Sequence, residues 1–126
     1  MQVRQSDRGF TLIELLVVLA AVALLLGLTL PRYIAHLDRA REAALRQNLA
    51  TLRDAIDKFH ADRERYPQGL QELVGERYLR AVPLDPMTDR ADTWKGVAPS
   101  TGGDAWGDVR SGAAGTGSDG RPYGAW

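Results

Sequence analysis

Arg8-Gly9-Phe10-Thr11-Leu12-Ile13-Glu14-Leu15 opens a run that stays apolar as far as Leu30, broken only by Thr11, Glu14 and Thr29. Phe10 to Leu30 is 21 residues. At about 1.5 Å of rise per residue, a helix of that length crosses a hydrocarbon core roughly 30 Å thick. A cleaved secretory signal is the competing reading, and Ala21-Val22-Ala23 has the A-x-A spacing of such a site. Signal peptides, however, carry an apolar stretch of about 7–15 residues. A cut after Ala23 would leave Leu24 to Leu30 as an exposed apolar stub. A membrane-spanning helix is the better expectation. Glu14 is the anomaly within it. An ionised Asp costs roughly 2.5–3.5 kcal/mol at the centre of a membrane helix, and Glu should be comparable. A carboxylate there is a functional-site hypothesis that calls for a partner. The plainer alternative is a side chain near the helix end that reaches the polar boundary.

Helical periodicity continues past the apolar run. Leu45, Leu49, Leu52, Ile56 and Phe59 recur at spacings of four, three, four and three, the stripe of an amphipathic helix. Ile34 and Leu37 extend that stripe upstream, while Glu42 with Arg46 and Asp54 with Lys58 read as i,i+4 pairs on a solvated face. Gly27 and Pro31 interrupt the intrinsic helix preference, so a kink is expected near Pro31. The pattern predicts one helix from Thr11 to about Arg63, some fifty residues and roughly 80 Å long.

Tyr66-Pro67 ends that helix, because the residue before a proline is pushed out of the α region. Gln68 to Val74 predicts a short helix stopped by Gly75, and Val82-Pro83-Leu84-Asp85-Pro86 an extended connector. Thr93-Trp94-Lys95 and Ala105 to Arg110 are the strand candidates, separated by a Gly102-Gly103-Asp104 turn. Ser111 to Gly120 is a glycine-rich loop. So few apolar residues need the Leu45–Phe59 stripe to pack on, with Trp94, Trp106, Tyr123 and Trp126 supplying much of the buried area.

The 126 residues carry 16 basic and 16 acidic side chains, so there is no basic footprint for nucleic acid. No cysteine is present, which removes disulfides and thiolate metal sites. His36 and His60 stand about 36 Å apart by helical rise, and Ser111 lacks a nucleophile-elbow context. Nothing here reads as an enzyme.

A short charged leader ending in Gly9, then Phe10, with Glu14 fifth from Phe10 inclusive, resembles the cleavage site of type IV prepilins and of the pseudopilins of type II secretion. The resemblance extends downstream. Tyr66-Pro67-x-Gly69-Leu70-x-x-Leu73, Tyr78-Leu79 and Pro83-x-Asp85-Pro86 are similar to the post-helix segment of major pseudopilins. Val109-Arg110-Ser111-Gly112 and Gly120-x-x-Tyr123-x-x-Trp126 carry the likeness to the last residue of the sequence. It implies an α+β, pilin-like fold, a long N-terminal helix packed on a small antiparallel sheet. Its expected divisions are a cleaved leader over residues 1–9, a membrane and assembly helix over 10–30, an amphipathic continuation over 31–63 and a small globular region over 64–126.

The same resemblance implies a prepilin peptidase that cuts between Gly9 and Phe10 and N-methylates Phe10. It assigns Glu14 to the freed Phe10 amine of a neighbouring subunit during assembly. Implied partners are copies of itself in a homopolymer, minor pseudopilins and an inner-membrane assembly platform. The filament would act as a piston driving folded proteins out of the periplasm. The location implied is the bacterial inner membrane, single-pass, with the leader cytoplasmic and the C-terminal region periplasmic. Charge counting points the other way, since Arg32, Arg39, Arg41 and Arg46 outnumber Arg4 and Arg8. Two alternatives stand beside it: a minor type IV pilin for twitching or DNA uptake, and a membrane-tethered periplasmic binding module that never polymerises. Lack of cysteine favours the pseudopilin, because many type IV pilins close a C-terminal loop with a disulfide.

Many major pseudopilins also bind calcium in the loop near the C-terminus. The candidates for it here are Asp119, Ser111 and Asp108, with Asp104, Thr116 and Ser118 nearby. Calcium takes about six to eight oxygens, usually with more than one carboxylate. Arg121-Pro122-Tyr123 stands where the family's acids cluster, so a plain turn is the alternative.

Overall fold

The computed structural model describes residues 9–126; the expected leader, apart from Gly9, lies outside the described residues. Helix α1 runs Leu12–Arg63, helix α2 Leu70–Gly75, strand β1 Lys95–Val97 and strand β2 Asp108–Arg110, followed by a 3-10 turn over Tyr123–Ala125. The chain divides between Leu37 and Asp38 into two compact units. The arrangement is α+β, with a long N-terminal helix and a small antiparallel sheet.

In the first unit every described side chain is exposed. The helix contains a window of mean hydropathy 2.7, long and apolar enough to cross a membrane. Pro31 lies inside α1 without ending it. Ile34 and Leu37, expected to begin the buried stripe, are exposed.

The second unit is built on the remainder of α1. Leu45, Leu49, Leu52, Ala55, Ile56 and Phe59 are buried and form one core with Leu70, Leu73, Leu79, Trp94, Val109 and Trp126. Phe59 meets Tyr78 edge-on, with ring centroids 5.3 Å apart, and the Arg65 guanidinium lies 4.9 Å above its centroid. Such an edge contact adds about 0.5–1.5 kcal/mol beyond burial of the ring.

Gly75 does not stop α2 but is its last residue. The reversal comes two positions later, where Arg77 takes φ 66 in the left-handed region. The Tyr78 N–H then donates to the Leu73 carbonyl at 2.8 Å and the Arg77 N–H to that of Val74 at 3.1 Å. This pair of bonds is the Schellman closure, with arginine where glycine is usual.

The strands pair antiparallel in the register Lys95 with Arg110, Gly96 with Val109 and Val97 with Asp108. Strand β1 begins two residues later than the sequence suggested, because Thr93 and Trp94 are committed elsewhere. The Thr93 hydroxyl pairs with that of Thr88 at 2.7 Å, and the Trp94 indole N–H donates to the Pro83 carbonyl at 2.8 Å. Strand β2 likewise loses its front end, since the Trp106 N–H donates to the Pro67 carbonyl at 2.8 Å. The Trp106 ring lies against Gly96, where a Cβ would come within 2.3 Å of it. Trp94 and Trp126 are buried, whereas Trp106 and Tyr123 pack on the core only partly covered. The connector is latched at both sides, with the Asn48 side-chain amide donating to the Leu84 carbonyl at 2.9 Å.

Candidate processing and assembly site

Gly9 and Phe10 precede the helix in irregular, exposed backbone, and Phe10 is 85% exposed. The bond between them is therefore outside the helical hydrogen-bond ladder. Thr11 caps α1: its hydroxyl oxygen accepts the Glu14 N–H at 3.2 Å, and its carbonyl accepts the Leu15 N–H at 3.1 Å. Thr11-x-x-Glu14 has the spacing of a capping box, a local signal that the sequence reading passed over. Glu14 thus sits in the first turn, where the helix dipole favours a negative charge by about 0.3–1 kcal/mol. Its carboxylate makes no salt bridge among the described residues. Gly9 and Phe10 thus stand just before the helix start and Glu14 in its first turn.

The calcium candidates are each engaged by other partners. One Asp108 oxygen accepts both the Arg53 Nε–H at 2.8 Å and the Val109 N–H at 2.7 Å. Ser111 donates its hydroxyl to the buried Asp85 carboxylate and accepts the Ala113 N–H at 3.1 Å. Asp119 accepts the Arg121 N–H and the Arg121 Nε–H, each at 3.0 Å, with an Arg46 nitrogen 3.9 Å away. These bonds, the main-chain one first, hold its carboxyl below the usual range. Asp104 is exposed. Among the described residues no three His, Cys, Asp or Glu side chains converge as a metal cluster. The donor set does not fit calcium.

Three residues to which the sequence assigned no such role organise this end of the molecule. Glu42, expected on a solvated face with Arg46, is 5% exposed. It accepts the Ser118 N–H at 2.8 Å, the Ser118 hydroxyl and the Tyr123 hydroxyl at 3.3 Å. Arg46 instead lies over the Trp126 ring, 4.4 Å from its centroid. The signal was available, since Glu42 stands three residues before Leu45 on the buried stripe. Arg53 ties β2 to the chain end, donating to the Val109 carbonyl at 3.0 Å and to a main-chain oxygen of Trp126 at 2.7 Å. Asp85, wholly buried, closes its own turn by accepting the Met87 N–H at 2.9 Å.

Residues 4–30 match the family model described as the prokaryotic N-terminal methylation motif. Type II secretion system core protein G of Klebsiella michiganensis is 33% identical over 99 residues, which is 66% of this chain and 70% of that protein. The protein of the same name from Pseudomonas aeruginosa is 28% identical over 116 residues, 79% of this chain and 80% of that one. Type IV major pilin protein PilA of Myxococcus xanthus is 33% identical over 67 residues, 53% of this chain and 30% of that protein. No solved structure matches the chain.

Proposed function

Because this chain belongs to the family of the type II secretion system core protein G, we propose that it is the pseudopilin subunit of a short periplasmic filament that drives folded proteins outward. The observation carrying this reading is a helix start that is apolar, unburied and carries one carboxylate, Glu14, in its first turn. The chain is then a substrate of a peptidase rather than an enzyme. Cleavage after Gly9 removes the leader and frees the Phe10 amine, which is methylated. The Phe10–Leu30 segment holds the subunit in the inner membrane, with the leader cytoplasmic and the 64–126 region periplasmic. Copies of the subunit then pack through their apolar helices, joined by minor pseudopilins and the assembly platform.

In such a filament the Glu14 carboxylate meets the Phe10 amine of a neighbour. Each charge alone is costly among packed apolar helices, and pairing them offsets that cost while fixing axial register. Glu14→Gln separates this role from capping, because glutamine also serves at the third position of a capping box. Glu14→Gln should leave insertion, Gly9–Phe10 cleavage and methylation intact, as read by intact mass, and abolish filaments in shearing assays. Normal filaments from Glu14→Gln would refute the pairing. A mature protein still beginning at Met1, with the peptidase present, would remove the pseudopilin reading altogether. The likeness to a type IV pilin supports a second reading as a minor pilin; a retraction ATPase among the neighbouring genes would favour it, and a secretin with exported hydrolases the first.

A further inference from the structure

Two carboxylates, Glu42 and Asp85, are buried in the second unit and belong to neither processing nor assembly. Both face the stretch from Ser111 to Tyr123, where a calcium loop would lie, and both are acceptors for it. Asp85 takes the Ser111 hydroxyl at the start of the stretch. Glu42 takes the Ser118 N–H and hydroxyl in the middle and the Tyr123 hydroxyl at the end. A calcium loop has the reverse polarity, since there the loop supplies oxygens and the cation supplies the positive charge.

We infer that Glu42 closes this loop in place of a metal ion: an anionic side chain from α1 gathers the loop's own N–H and O–H groups, and the loop is ordered without calcium. A carboxylate can accept about four hydrogen bonds, and three protein donors nearly fill Glu42. A cation seated at those oxygens would face the Ser118 N–H and would have to displace it. Ser111 is closed to a metal for a related reason, because its oxygen already accepts the Ala113 N–H while its proton goes to Asp85. The remaining loop carboxylate, Asp119, is occupied by Arg121. Close packing completes the clamp. The Trp126 ring lies against Gly117, where a Cβ would approach it to 2.1 Å, and Tyr123 meets Trp126 edge-on at 5.2 Å. The inference concerns the second unit alone and stands whether or not the subunit polymerises.

Amide hydrogen exchange across residues 112–126 of the full chain in detergent micelles tests it, with excess chelator compared with ~5 mM calcium, above the range in which weak extracellular calcium modules load. The wild-type loop should exchange at the same rate in both. Glu42→Gln should speed exchange of the Ser118 amide at least about tenfold, as expected for loss of a bond to a charged acceptor, and calcium should not restore it. Calcium-dependent slowing of the wild-type loop, or unchanged exchange in Glu42→Gln, would overturn the inference. Should Glu42→Gln fail to fold, Ser118→Ala and Tyr123→Phe remove donors while keeping the carboxylate. Each should speed exchange several-fold in both solutions, and no change in either variant would equally overturn it.

Discussion

Helix α1 is one element with two different fates for its side chains. Upstream of Asp38 no described residue is buried, although the sequence there is almost wholly apolar. Downstream, seven residues from Glu42 to Phe59 are buried, although the sequence is rich in charge. The backbone ladder is the same in both, so helix formation does not explain the difference. What differs is the surroundings the apolar surface needs. A stripe narrower than half the helix can be covered by the subunit's own loops and short elements. A helix apolar all round cannot be, and it needs lipid or other apolar helices, with its backbone groups already satisfied internally. Division of labour within one helix therefore follows from the width of its apolar face.

Removing the upstream half is the harshest way to test that division. A fragment beginning at Arg32 should be soluble, folded and mainly monomeric by sedimentation and circular dichroism. Insoluble or unfolded material would show that the downstream stripe is not enough to hold the second unit. A smaller but local perturbation is Phe59→Ala, at a fully buried ring. It should cost roughly 3–5 kcal/mol in urea unfolding of that fragment. In the full chain in micelles, Leu19→Ala, at an exposed position, should leave unfolding of the second unit unchanged. Equal effects from the two would erase the contrast.

How much of this was legible in the sequence follows the range of the interactions. The stripe from Leu45 to Phe59 and the end of α1 near Arg63 are short-range patterns, and both stand as read. Glu42 was misread because a local i,i+4 partner, Arg46, offered a simpler account than a serine 76 residues away. The strands were displaced because Thr93, Trp94 and Trp106 spend their hydrogen bonds on Thr88, Pro83 and Pro67, partners that no alternation of side chains can announce. Asp108 and Asp119 looked like ligands in one dimension, yet each faces an arginine in three.

Arg53 sharpens the comparison further, because it is a charged residue on the downstream half that holds distant backbone. Its guanidinium serves Asp108, Val109 and Trp126 at once. Arg53→Met keeps the aliphatic stem and removes all three bonds, which should cost about 1–3 kcal/mol, since a partly buried acceptor left unsatisfied pays its desolvation. Arg39→Met, exposed on the same helix, should shift the unfolding midpoint hardly at all. If Arg53→Met is equally silent, the chain end is held by packing alone.

The smallest expected effect is a pH dependence confined to the downstream half. The Ser118 hydroxyl beside Glu42 holds its carboxyl below the usual 4.5, helped by the Ser118 N–H, Tyr123 and Arg46 and opposed by burial. A carboxyl that is more acidic when folded contributes stability above its unfolded pKa and loses it as pH falls through the lower folded value. The clamp should therefore be intact at neutral pH and weaken only below about 4.5. Its other end has the opposite sign. Burial, then the negative charge of Glu42, with Asp38 and Asp119 adding to it, pushes the Tyr123 hydroxyl above its usual 10.0. That contribution is full below the unfolded value and disappears as pH rises through the folded one. Thermal unfolding of wild type and Glu42→Gln should thus differ most across the neutral range, with the two curves converging in acid and, once Tyr123 ionises, in alkali. Tyr123→Phe should keep the acid limb and lose the alkaline one. Carboxyls of Glu72 and Asp92 are also held low, by Arg65 and Arg90 respectively, and will contribute an acid slope common to all three proteins. The difference between the curves, rather than either curve alone, reports the clamp. A Glu42→Gln curve displaced from wild type by the same amount from acid to neutral pH would mean that Glu42 acts through its shape and not its charge.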